Sequence, residues 1–159
     1  LRFFTVYGPS GRPDMSMSLF VNAISKKKYL NLFNRGKMKR SFTYIDDIIN
    51  GLLKIVFEIP KPKKQILKSN FPTDTSSAPY EIYNLGNPNE VKLTEYLKVI
   101  EKKVKSKAKI KFLGMQKGDV KSTRANMTKF RKKFGKMLKV DIKKGINHYV
   151  DWYNKYHRI

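Results

Sequence analysis

Two hydrophobic periods alternate along the chain. Residues 1–6 form a largely apolar and aromatic run, with Leu1, Phe3, Phe4 and Val6, that stops at Gly8 and Pro9, the pattern of a buried strand followed by the loop GPSGRPD. Over residues 15–27 the period lengthens. Met15, Leu19, Phe20, Ala23 and Ile24 recur at helical spacing, and Lys26, Lys27 and Lys28 follow where cations complement a helix C-terminus. Residues 29–33 predict a short strand, Asn34, Arg35 and Gly36 a turn, and residues 41–44 a further short strand. Ile48, Ile49, Leu52, Leu53, Val56 and Phe57 share one side of a helix predicted over 46–59, with Asp46 as its N-cap and Pro60 and Pro62 as its stop. A polar loop over 61–79 leads to a strand at 80–85, ended by Gly86 and Asn87. Then come a helix at 93–105 with Leu93, Leu97 and Ile100 facing inward, a strand at 110–113, and a short basic helix at 126–134. The closing helix, 141–156, carries Ile142, Ile146, Tyr149, Val150 and Tyr153 on one face.

This order predicts an α/β fold without internal repeats. The strands are too few and too short for a complete doubly wound parallel sheet, so further strands are expected ahead of residue 1.

Composition narrows the function classes. The chain has 159 residues, 40% hydrophobic and 13% aromatic, enough to bury one core. No run approaches the roughly 20 apolar residues of a membrane span, and no targeting segment is evident, so a cytoplasmic protein is expected. The absence of Cys excludes disulfides and Cys-based metal sites. His148 and His157 lack neighbouring carboxylates at ligand spacing, which argues against zinc. The net charge of +23 admits polyanions, but it comes from 28 Lys against 7 Arg. Arginine is the residue that reads base edges in paired hydrogen bonds, so nucleic acid is not the expected principal partner. A phosphate-bearing small molecule suits the charge equally well.

Five segments in register carry a resemblance. They are LRFFTVYGPSGRPDM at 1–15, FNRGKMKRSFTYIDDI at 33–48, YNLGN at 83–87, MQKGDVKST at 115–123 and VDWYNKY at 150–156. In order and spacing the chain resembles the C-terminal half of the extended short-chain dehydrogenase/reductases that modify nucleotide sugars. The first, third and fourth segments lean towards the UDP-glucuronate 4-epimerase branch. The resemblance implies late pieces of a Rossmann-type fold, an incomplete parallel sheet, and a small substrate-binding domain. It also implies NAD as cofactor, bound mainly by an N-terminal half that this chain lacks.

The implied reaction is oxidation of the sugar C4 hydroxyl by NAD and return of hydride to the other face, for cell-surface polysaccharide precursors. It needs a general base, which the resemblance assigns to the Tyr of a Tyr-x-x-x-Lys pair. No Tyr here has Lys four residues on, and no Gly-rich phosphate loop is present. Both are expected upstream, so no catalytic residue is assigned and the chain alone is expected to be inactive.

What remains is recognition. The resemblance makes Arg40 the diphosphate-binding guanidinium and places Arg12 with Thr5 on the sugar carboxylate. It puts Asn31, Leu32 and Phe33 along the uracil, and Gln116 and Asp119 on the nucleotide, Asp119 accepting from ribose hydroxyls. Phe3 and Phe4 fall against the nicotinamide. Each has an ordinary structural reading: Arg40 and Arg12 as solvated charges, Phe3, Phe4 and Phe33 as core, and Asp119 as a turn residue after Gly118. The chain departs from the family at Ser10, Ser41, Arg124 and Asn126. Other members' reactions, a non-catalytic polyanion-binding remnant, a homodimer, or pairing with a separately encoded N-terminal half remain open alternatives. Apolar faces left without that half are expected to drive self-association.

Overall fold

The computed structural model describes residues 1–62 and 76–158. The first apolar run splits at Phe4 into β1 (Arg2–Phe3) and β2 (Thr5–Tyr7). The loop 8–15 leads into α1 (Ser16–Ser25), then β3 (Tyr29–Leu32) and a tight 3-10 turn, Phe33–Gly36. Next come β4 (Lys39–Arg40), β5 (Phe42–Tyr44) and α2 (Ile45–Ile55). After the 63–75 segment the chain continues through β6 (Asn84–Leu85), β7 (Val91–Lys92), α3 (Leu93–Val104), β8 (Lys109–Phe112), α4 (Thr128–Phe134) and α5 (Ile142–His157).

The strands pair two by two. Three pairs are parallel: β1 with β6, β2 with β5 and β3 with β8. β4 and β7 pair antiparallel. Parallel pairs are normally covered on both faces, and here the cover is uneven. The larger core gathers α1, α3 and α5 around β2, β3 and β5. At its centre the Phe42 and Tyr96 rings stack face to face, centroids 3.8 Å apart, and Tyr7 meets both edge-on. The Tyr96 hydroxyl reaches the Met17 sulfur at 3.1 Å, and burial pushes its pKa well up, so it stays a neutral hydrogen-bond donor. A smaller core packs Ile48, Tyr83, Leu85, Ala125, Met127, Phe130 and Met137.

Several expectations need correction. The 1–6 run is not a buried strand: Leu1 and Phe3 are about half exposed, because among the described residues nothing covers that face. The helix predicted to Ile59 ends at Ile55. Val56, Phe57 and Ile59 find nothing to pack on, Phe57 being 86% exposed, so burial does not stabilise another turn. Residue 59 is also steered from helical angles by Pro60. Asp46 is not the N-cap. Tyr44 holds that position with extended angles and no capping side chain, and Asp46 and Asp47 lie in the first turn, where carboxylates suit the helix dipole. The strand expected over 80–85 shrinks to two residues. The loop expected over 61–79 lies mostly outside the described residues. The helices over 93–105 and 141–156 form close to their expected bounds, the latter capped by Asp141, which accepts from the Lys144 N–H at 2.8 Å.

Two buried polar groups fasten distant segments. Asp47, 1% exposed, accepts from the Lys139 and Val140 N–H groups at 2.8 and 3.2 Å, tying α2 to the approach to α5. Desolvation raises its pKa, opposed by those two hydrogen bonds. Ser41 donates to the Asn87 carbonyl while Thr43 accepts from the Asn87 N–H at 2.8 Å. This pair binds the start of the β6–β7 connection to β4 and β5.

Close approach sets one glycine. Gly145 on α5 lies against the rings of Tyr7 and Tyr44, and an added Cβ would sit 2.9 Å from Tyr7 Cζ and Tyr44 Cδ2. Gly145→Ala should therefore destabilise the fold by about 1–3 kcal/mol despite alanine's better helix propensity, read as a lowered denaturation midpoint. Exposed Ile49 and Leu53 share one face of α2, and exposed Val56 follows just past its end. Sedimentation should accordingly find self-associated species; a sharp monomer with a cooperative melt would contradict this.

Candidate functional site

Four pieces of backbone converge beside the larger core. Thr5 opens β2, the 14–20 segment carries the first turn of α1, β3 and the start of the turn after it supply residues 30–33, and β4 with the loop at 116–119 closes the side. The cavity between them measures about 310 Å³ and is lined by Thr5, Asn31, Leu32, Phe33, Arg40, Gln116 and Asp119 among others. Its floor is apolar: Leu30, Leu32, Phe20 and Met38 are buried core residues whose outer surface faces the space. Leu32 is fixed there by the parallel register of β3 on β8, Leu32 opposite Phe112.

The turn after β3 explains how Arg40 reaches the same space. Asn34 and Arg35 adopt left-handed angles, and Gly36 has φ +72° with Leu32 and Thr94 methyls each 2.6 Å from where a Cβ would be. Only glycine fits such a position without displacement. The reversal sends Met38 into the core and brings β4 alongside β7, Arg40 opposite Val91. Lys39 pairs with Glu90 at 2.9 Å, and Glu90 also accepts from Ser122. Ser122 and Lys39 together hold the Glu90 carboxyl below its ordinary pKa.

Arg40 is the charged centre of the cavity. Its side chain is 16% exposed, its Nη1 donates to the Lys39 carbonyl at 2.9 Å, and its Nη2 donates to Asp119 Oδ1 at 2.7 Å. Asp119 also accepts from the Val120 N–H at 2.8 Å. A guanidinium has five donors, so Arg40 keeps capacity for a further anion. The cavity thus combines an apolar slot, a half-buried cation and a carboxylate acceptor. That set suits a planar ring joined to an anion, with hydroxyls between.

Not all the expected residues meet. Arg12 lies outside this cavity, in a neighbouring one of about 480 Å³ that also holds Phe3, Phe4, Tyr7 and Ile45; Met15 lines both. Arg12 is exposed, and both its Nε and Nη2 donate to the Asp14 carboxylate. That pairing raises the Arg12 pKa and lowers that of Asp14. Thr5 and Arg12 therefore face different spaces here. Asp14, Ser16 and Leu93 line the first cavity without having been singled out in the sequence. Asp14 directly follows the Arg12-Pro13 pair, a proximity visible in the sequence, whereas Leu93 looked like any core residue.

The second cavity offers only part of what a dinucleotide cofactor needs. Phe3 and Phe4 offer apolar contact to one planar ring, but no glycine turn in that cavity is followed by a capped helix and no carboxylate lines it for a ribose. These residues suit the ring end of such a group, with Arg12 the one charged side chain among them. Among the described residues no His, Cys, Asp and Glu group has metal-binding geometry, and no helix is long and apolar enough to cross a membrane.

The chain is similar to several known proteins. Residues 1–68 match the NAD dependent epimerase/dehydratase family. Over 158 residues the chain is 38% identical to Protein CapI of Staphylococcus aureus, covering 99% of this chain and 47% of that protein. It is 40% identical over 157 residues to UDP-glucuronate 4-epimerase 5 of Arabidopsis thaliana, covering 96% and 35%. It superposes with a TM-score of 0.78 on UDP-glucuronic acid 4-epimerase from Bacillus cereus, solved with UDP-glucuronic acid and NAD, at 27% identity over 98% of this chain and 44% of that one. The fold is thus part of a Rossmann-type extended short-chain dehydrogenase/reductase. The chain is similar to the NAD-dependent epimerase/dehydratase family and resembles the C-terminal half of its members. It spans less than half the length of the relatives named.

The Arg40–Asp119 pair predicts a salt-sensitive contribution to stability. Asp119→Asn keeps an acceptor for Val120 but removes the charge. It should lower stability by about 1 kcal/mol at low salt and by less in molar salt, measured by denaturant titration.

Proposed function

We propose that this chain is the UDP-sugar-binding portion of an NAD-dependent nucleotide-sugar epimerase of the UDP-glucuronate 4-epimerase kind, serving cell-surface polysaccharide precursors. The observation that carries the reading is the single cavity in which Arg40 and Asp119 stand beside the Leu32–Phe33 slot. In this reading Phe33 and Leu32 take the uracil, Asn31 and Gln116 flank it, and Asp119 accepts from the ribose. Arg40 holds the diphosphate, exchanging part of its hold on Asp119 for phosphate oxygens. The sugar then extends past Met15 towards the second cavity, where Arg12 meets the uronate carboxylate and Thr5 lies at the passage. Phe3 and Phe4 there pack on the nicotinamide of NAD, whose remaining length is held by a dinucleotide-binding half supplied elsewhere. NAD supplies the hydride acceptor, and the proton of the C4 hydroxyl goes to a Tyr of that half, since no Tyr-x-x-x-Lys pair occurs here. Residues 1–159 act in this scheme as one C-terminal portion, with the exposed β1 and α2 faces meeting the cofactor half or a second copy. Related members act on other nucleotide sugars, and the choice among them rests on Thr5 and Arg12.

A second reading has its own support. A groove of about 440 Å³ between α3 and α5 is lined by Lys98, Lys102, Lys103 and Lys143, of which Lys103 pairs with Asp151 at 2.6 Å. Like charges gathered this way suit a polyanion, in which case affinity for DNA falls steeply with salt and UDP-sugars do not compete.

Calorimetric titration of the folded chain separates the readings. UDP and UDP-glucuronate should bind, with UDP-glucuronate the tighter. Arg40→Ala should weaken both by about tenfold or more, equivalent to about 1.4 kcal/mol, and Arg12→Ala should weaken UDP-glucuronate while leaving UDP unchanged. A chain that is folded by circular dichroism yet binds neither nucleotide sinks the epimerase reading.

A further inference from the structure

A cavity on the far side of the 8–14 loop has a chemistry unlike the rest of this protein. It measures about 480 Å³, larger than the Arg40 cavity. One wall is a face of α5, where Tyr149, Trp152, Tyr153 and Tyr156 follow one another at i, i+3, i+4 and i+7. The Trp152 and Tyr156 rings lie 5.3 Å apart and nearly parallel, 25° between planes, and Tyr156 is 68% exposed. Tyr149 and Tyr153 are buried and form the floor. The opposite wall is small and polar: Ser18 and Asn22 from α1, with Ser10 and Gly11 from the loop.

The polar groups are held in place. Tyr149 donates to Ser18 Oγ at 2.9 Å, Ser18 donates to the Arg12 carbonyl at 2.7 Å, and Tyr153 donates to Asn22 Oδ1 at 3.2 Å. Asn22 thereby has its oxygen oriented and its amide nitrogen left to donate.

Charge decides among ligand classes. In a chain of net charge +23, no Lys, Arg, Asp or Glu lines this cavity. An anionic ligand would find no Lys or Arg in the lining, where His157 is the one basic side chain. A quaternary ammonium would suit the rings but would be repelled by the field of the whole chain. A neutral ligand with one apolar face and a rim of hydroxyls matches both walls. The C–H face of a pyranose can lie on Trp152 and Tyr156, and its hydroxyls can reach Asn22 and Ser18.

We infer that the cavity between α5 and the 8–14 loop is a binding site for a neutral hexopyranose unit, separate from the Arg40 cavity. The inference does not depend on the nucleotide-sugar reading, since no residue lines both spaces. It touches the Arg12 loop through Ser10 and Gly11, which also line the Phe3–Phe4 cavity, so occupancy is positioned to influence that loop.

Trp152 is the only tryptophan, so its fluorescence reports this cavity directly. The full chain would be titrated with methyl glucoside, methyl galactoside, choline and UDP. A saturable change with at least one glycoside, half-complete at roughly millimolar concentration, is expected, with none from choline or UDP. Tyr156→Ala, an exposed position, should weaken it by about tenfold, and so should Asn22→Leu, while Arg40→Ala should leave it unchanged. A non-saturating response to both glycosides overturns the proposal. So does a Trp152 signal driven by choline or UDP alone, or a glycoside response that both Tyr156→Ala and Asn22→Leu leave intact.

Discussion

The stack of Phe42 on Tyr96 is the contact on which the arrangement depends. Phe42 belongs to β5 and Tyr96 to α3, elements about fifty residues apart in the chain, and their rings meet nearly parallel in the centre of the larger core. Tyr7 of β2 closes on both rings from the side, and Met17 of α1 accepts from the Tyr96 hydroxyl. One aromatic cluster therefore sets the positions of a parallel strand pair and two helices. Aromatic pairs contribute packing geometry as well as buried area, and this one determines where β4, immediately ahead of Phe42, emerges. Arg40 is the last residue of β4, so its place at the cavity wall follows from the stack two residues later.

The same core explains why the binding chemistry lies on one side of it. β3 runs outward from α1 with Leu30 and Leu32 buried, and the left-handed turn at Asn34 and Arg35 returns the chain to meet β7. Ser41 and Thr43 then fasten Asn87, fixing the other end of the connection that carries Glu90. Arg40 and Asp119 are far apart in sequence and come together only because the 116–119 turn follows β8, which is itself paired to β3. A guanidinium placed in this way is largely buried and already oriented by Asp119 and the Lys39 carbonyl.

The uneven covering of the strands has a different consequence. β1 pairs with β6 on one edge only, and Phe3 and the outer face of α2 are exposed. Parallel pairs with an open apolar face are uncommon in isolation. Phe3 and Phe4 stand at this less covered end and Arg40 at the well-packed one, so the residues proposed for cofactor and for substrate sit in regions of different burial.

Much of this was legible in the residues. The helices over 93–105 and 141–156 carry unbroken 3.6-residue periods, and each buries the face that the period indicates. A resemblance in motif order, which local periodicity by itself does not contain, named Thr5, Arg12, Asn31, Leu32, Phe33, Arg40, Gln116 and Asp119 together, and all of these but Arg12 line one cavity. Other features required the tertiary structure. A sequence does not state which apolar face finds a partner, so the run at 1–6 looked buried and the helix at 46–59 looked as if it ended four residues later than it does. Asp46 looked like a cap because capping residues are common before apolar runs, yet Asp47 made the long-range bonds, to N–H groups about ninety residues away. Arg12 was expected beside Thr5, but its nearest carboxylate, Asp14, took the guanidinium. Periodicity and motif spacing encode what a segment can do with its immediate neighbours. Burial, charge pairing and the aromatic wall of α5 depend on contacts between distant segments, and those exist only once the chain has folded.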